Sequence, residues 1–114
     1  MRAAIFILAL AAAAVAQAEP RAKSAEECMT YADLALVAST LAKHGIARER
    51  AHAMIPDMYN LRDADAAELA RRIVEAAYLV PEAARTEPRT FASNLGSTCL
   101  RAQGRMDAVI GVKL

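Results

Sequence analysis

Tryptophan is absent from this 114-residue chain, and three tyrosines and two phenylalanines are its only aromatic side chains. Its core must therefore be built from alanine and a few aliphatic residues, which set little burial against the entropy of ordering each residue. Glycine is as scarce: there are four, none adjacent to another, so no glycine-rich loop is available to cradle phosphate. Neither sign of charge is in excess, with 14 Lys and Arg against 13 Asp and Glu. A binder of nucleic acid needs a net basic face, so that class is excluded as an expectation. Runs alternating at period two are missing until the last few residues, which leaves the helix as the repeating element.

What is present first is an export signal. Met1-Arg2 is a short positive start, AAIFILALAAAAV from Ala3 to Val15 is apolar throughout, and Ala16-Gln17-Ala18 is a small-x-small cleavage site. Residues 1–18 read as a signal peptide cut after Ala18, or after Ala16, since Ala14-Val15-Ala16 repeats the pattern. The apolar run stops at Gln17, short of the roughly 18 to 20 residues that span a bilayer. No stable membrane anchor is expected after cleavage, and the predicted location is periplasmic or secreted. Loss of Arg2 leaves 13 charges of each sign on about 96 residues, enough for one small domain.

Outside the cytoplasm, the two cysteines, Cys28 and Cys99, are expected to pair. The bond closes a loop of about 70 residues and contributes on the order of 4 kcal/mol in the chain-entropy account. A redox-active role lacks the Cys-x-x-Cys spacing.

The intervening sequence predicts four helices. Ser24-Ala25-Glu26-Glu27 is a capping box opening a helix that runs to His44 and stops at Gly45. Its inward stripe is Cys28, Tyr31, Ala32, Leu34, Ala35, Ala38, Leu41 and Ala42. A second helix spans about Ala47 to Ile55, with Ala51, Met54 and Met58 on one face, and Pro56 is expected to end or kink it. Asp65-Ala66-Ala67-Glu68 opens a third helix that runs to Val80, turning Ala70, Ile73 and Ala77 inward and Glu68, Arg72 and Glu75 to solvent. Pro81 stops it. PEAARTEPR reads as a loop, and Thr86 as the cap of a last helix ending at Gly104. Phe91, Leu95, Cys99 and Ala102 form its inward stripe. Together these make an all-α, up-down four-helix bundle tied by one disulfide. A linker occupies 19–23, the helical domain 24–104 and an apolar tail 105–114. In that topology both cysteines fall at one end, and Ala32 and Ala35 should approach Ala92 and Gly96.

Chemistry-bearing constellations are sparse. His44 sits at a helix C-terminus, where a cation favours the dipole. His52, Met54 and Met58 could suit Cu(I), but the methionines read as core filling. No nucleophile elbow, metal-ligand spacing or acid-base pair is nominated, so the expectation is a non-enzyme with no catalytic residue, metal site or cofactor. The tail RMDAVIGVKL concentrates large apolar side chains. Val109, Ile110, Val112 and Leu114 either fold back on the bundle or bind a partner, for example as an added strand.

The segments ECMTYADLALVASTLAKHG, AELARRIVEAAY and PRTFASNLGSTCL behind a signal peptide resemble small two-cysteine exported helical proteins of Gram-negative bacteria. The resemblance implies periplasmic residence and a disulfide, and it transfers no functional residue. The functional expectation is a non-enzymatic protein that binds another periplasmic protein, as adaptor, inhibitor or immunity-type factor. The alternative is a carrier of a small apolar ligand or metal ion.

Overall fold

A computed structural model of the chain describes residues 20–111. The expected signal peptide and the last tail residues, Val112 and Leu114 among them, lie outside the described residues. All regular structure within them is helical: α1 Ala25–Lys43, α2 Arg48–Tyr59, α3 Ala64–Leu79, α4 Pro81–Arg85, α5 Pro88–Arg101 and α6 Asp107–Ile110.

The start of α1 follows from its capping residues. Ser24 Oγ accepts the amide of Glu27 at 3.1 Å, and Glu27 reaches back to the amide of Lys23 at 2.7 Å. That second bond lands one residue earlier than a capping box requires, so the orphan amides are shared over a slightly longer stretch. At the other end the Gly45 amide bonds the Ala42 carbonyl while its backbone turns left-handed. Cys28, Tyr31, Leu34, Ala35 and Ala38 are buried as the stripe predicts.

The second helix differs from expectation. It does not end at Pro56 but continues through it to Tyr59, closing on Asn60 in a left-handed conformation. Proline removes only one intrahelical bond in this final turn. Two contacts offset it: the Leu61 amide returns to the Pro56 carbonyl at 3.0 Å, and the Tyr59 hydroxyl donates to Asp33 of α1. Burial and that bond to the carboxylate raise the Tyr59 hydroxyl above its ordinary range. Met58 faces solvent rather than filling the core, and Ile55 takes the buried position.

Helix α3 begins earlier than predicted because Asp63, not Asp65, caps it, accepting the Ala66 amide at 3.1 Å. It is buried over a wide arc, including Leu69, Val74 and Ala76 beyond the expected stripe. It packs against α1, α2, α4 and α6, so its solvent face is narrow. Pro81 ends it and at once occupies the first turn of α4, within a segment read as loop. Thr86 does not cap α5. Its hydroxyl bonds the Glu82 carbonyl, while Glu87 holds the cap position without a side-chain bond.

Helix α1 is the hub, packing most extensively on α5 and also on α3 and α2. Cys28 and Cys99 are bonded, with Cα atoms 5.7 Å apart. One turn along, a Cβ on Gly96 would lie 3.1 Å from the Ala32 Cβ, so the two helices approach closely where small residues were predicted to meet. α1 and α5 therefore run antiparallel from a shared, covalently closed end. Both ends of the described segment are tied into this body. The Ala22 amide donates to the Gly104 carbonyl at 2.9 Å, and Met106 and Ile110 are each 1% exposed. The tail's first half is thus a short helix in the core.

Candidate functional site

Three features of the structure bear on a functional site. The first is the outer flank of the α1–α5 pair. Met29 and Leu100 directly follow the two bonded cysteines and remain 60% and 49% exposed. Successive helical residues turn by about 100°. In an antiparallel pair, one step onward from facing residues swings both side chains to the same flank. The lining of a hollow of about 260 Å³ beside the disulfide agrees with this, because Leu100 of α5 shares it with Ala25 of α1, one turn before Met29. Ala32 and Leu36 extend the apolar strip along α1, half-buried. Exposed Glu26 lies outside the strip on α1 and exposed Arg101 outside it on α5; Asp33, also outside it on α1, accepts the Tyr59 hydroxyl, and exposed Arg89 stands in line with the strip at the far end of α5.

The second feature is a groove of about 340 Å³ between α2 and α3, with Ile55, Ala70 and Val74 as an apolar floor and His52, Glu75 and Arg71 at its rim. Glu75 corrects a sequence expectation. Its side chain is only 16% exposed because α2 folds over that side of α3, and it accepts from Arg48 at 3.1 Å and meets His52 Nε2 at 2.6 Å. Arg72 is likewise half-buried rather than in open solvent. Glu68 takes both Arg71 and Arg72, and hydrogen bonds from the two guanidiniums hold its carboxyl down to about 2. Met54 is half-buried, Met58 is exposed, and His52 is directed at Glu75.

The third is the tail. Ile110 is buried and Val109 half-buried, packed within α6 against α3 and α5, which gives both a packing role. Among the described residues, no group of three or more His, Cys, Asp and Glu is arranged to hold a metal ion. No helix among them is long and apolar enough to cross a membrane. Every buried side-chain nitrogen or oxygen among them has a hydrogen-bond partner.

Comparison with known protein families, with curated proteins and with solved structures finds no match. Of the residues marked in the sequence, the structure joins Cys28 and Cys99 and buries Ile110. Sequence reasoning missed Met29 and Leu100. A signal was available, since both are large apolar residues lying off the inward stripes of their helices.

Proposed function

We propose that this chain is an exported, non-catalytic protein of the periplasm that acts by binding another protein through the outer flank of α1 and α5. The observation carrying this reading is the placement of Met29 and Leu100. In a chain short of large apolar side chains, two of them stand in solvent beside the disulfide while alanines fill much of the core. Neighbouring exposed apolar groups mark an interaction site, whereas singly exposed ones such as Met58 and Leu79 need no such explanation. The Cys28–Cys99 bond supports an oxidising compartment, and the Met1–Ala18 pattern supports export by a cleaved signal. Short connections between α1, α2 and α3, with the disulfide joining the start of α1 to the end of α5, support alternating helix directions in an up-down bundle. The resemblance to small two-cysteine exported helical proteins of Gram-negative bacteria fits the same reading.

Capture with the tagged full-length chain, expressed in a Gram-negative host, tests it. Co-expressed with an untagged copy of itself, the wild-type chain should recover a partner from the periplasmic fraction, whether another protein or that copy, and Leu100→Glu should lose that partner at unchanged melting temperature. Equal recovery by both, or recovery by neither, rejects the reading.

The groove between α2 and α3 favours a second reading, carriage of a small apolar ligand. Its apolar floor and polar rim have the general form of a ligand site. Binding of an apolar fluorophore that Val74→Trp abolishes would support it, and the absence of binding by the wild-type protein would remove it.

A further inference from the structure

We infer that the protein seated on the α1–α5 flank is a second copy of this chain, related by a two-fold axis parallel to the two helices. The inference rests on the reading of that flank as a binding surface. On this side α1 presents Glu26 and Asp33, Glu27 being turned to the opposite flank one step before Cys28, whereas α5 carries Arg89 and Arg101 and no carboxylate at all. The apolar strip therefore has an acidic border on one side and a basic border on the other. A two-fold axis perpendicular to the helices would lay α1 on α1 and set acid against acid. An axis parallel to them lays α1 of each copy over α5 of the other, so that every acidic border meets a basic one.

Height along the helices then selects the contacts. The Cys28–Cys99 bond puts these two residues level, and the close approach of Ala32 to Gly96 fixes the same register one turn away. Rotation about a parallel axis preserves height. Met29 of one copy consequently meets Leu100 of the other, and the same contact occurs twice, as an isologous interface requires. Glu26 and Arg101 lie within a turn of that level, both toward the outer edge, and form a pair across each side of the apolar centre. An unrelated partner would need an apolar centre with oppositely charged borders at this spacing, which a second copy supplies by symmetry.

The face is small. α5 is about 21 Å long at 1.5 Å per residue, and two adjacent helices are about 20 Å wide, which places the contact at the low end of specific interfaces. The dimer should therefore be reversible, with dissociation on the order of micromolar.

The test uses the full-length chain expressed in a Gram-negative host with a photo-crosslinking residue, Met29→p-benzoylphenylalanine, and in parallel the same replacement at Leu100. Both positions are exposed, so either variant should fold, and the second stands in if the first does not. Irradiation in cells should give an adduct of twice the mature mass, joining position 29 to a peptide containing Leu100. Sedimentation equilibrium of the purified protein should show a concentration-dependent dimer. Glu26→Arg should weaken it at least tenfold, and Arg101→Glu in the same chain should restore it at unchanged melting temperature. An adduct with a protein of different mass, together with a monomer in sedimentation, overturns the second copy and leaves the flank as a binding surface. No adduct from either position overturns both.

Discussion

At the scale of single residues, similar positions in sequence have different energetic weight according to what lies across from them. Glu75 and Arg71 are four residues apart on α3, yet Glu75 gathers Arg48 and His52 from α2 while Arg71 bonds Glu68 within its own helix. Removing Glu75 strands two partly buried donors, at a cost of about 1 to 2 kcal/mol. Arg71 is half in solvent, and its ion pair contributes at most about 0.5 kcal/mol. Thermal denaturation of Glu75→Ala and Arg71→Ala should separate them in that order, and equal shifts would mean that the bridge from α2 to α3 contributes nothing. Gly104 offers a second residue-scale test. Its backbone is left-handed and an added Cβ would lie 2.0 Å from the Ala22 carbonyl oxygen, whereas Gly45, also left-handed, has nothing within 4 Å. Gly45→Ala should cost about 1 kcal/mol through its backbone alone. Gly104→Ala should cost about 2 kcal/mol or more, because the chain around Ala22 must also leave its place. Melting temperatures of the two variants give the difference directly.

At the scale of elements, what the sequence disclosed was local. The capping of α1 by Ser24, its stop at Gly45 and most of the inward stripes through Cys28 and Cys99 depend on residues within a few positions of one another, and they hold, although Ala32, Leu41, Ala42 and Ala102 are only half-buried. The persistence of α2 past Pro56 depends on Tyr59 reaching Asp33 across 26 residues, and no local pattern reports that. Glu75 was misread for the same reason, since periodicity gives a face but not the helix that will cover it. The tail shows the limit most clearly. Its composition announced a need for burial without saying against what. In the structure Met106 and Ile110 meet that need within the chain's own core. Ile110→Ala should therefore lower stability by about 2 to 5 kcal/mol, in the range for a buried isoleucine. Urea titration followed by circular dichroism would measure it. An unchanged midpoint would detach α6 from the core and return the tail to the surface.

At the scale of the whole molecule, stability and the proposed binding surface meet at one end. The disulfide joins the opening turn of α1 to the closing turn of α5, spanning 71 residues and so nearly all of the helical body. Among the described residues outside that loop, the segment around Ala22 and the stretch from Met106 to Ile110 both pack back onto it. Eight of the twenty buried apolar residues described are alanine, which bury little surface each, so restricting the unfolded chain contributes a correspondingly large share of the total. Loss of the bond should cost about 2 to 5 kcal/mol, comparable to the whole margin of a domain this size. The same bond fixes the height of Met29 against Leu100, because it locks the register in which the two helices lie. Reduction should therefore act twice, lowering the melting temperature and weakening association through the α1–α5 flank even below the melting transition. Cys28→Ala/Cys99→Ala, measured with and without reductant beside the parent protein, separates these effects. The parent should lose stability on reduction until it matches the variant, and the variant should not respond. If reduction leaves the parent's melting temperature unchanged, the closure between Cys28 and Cys99 is not what holds this thin core together.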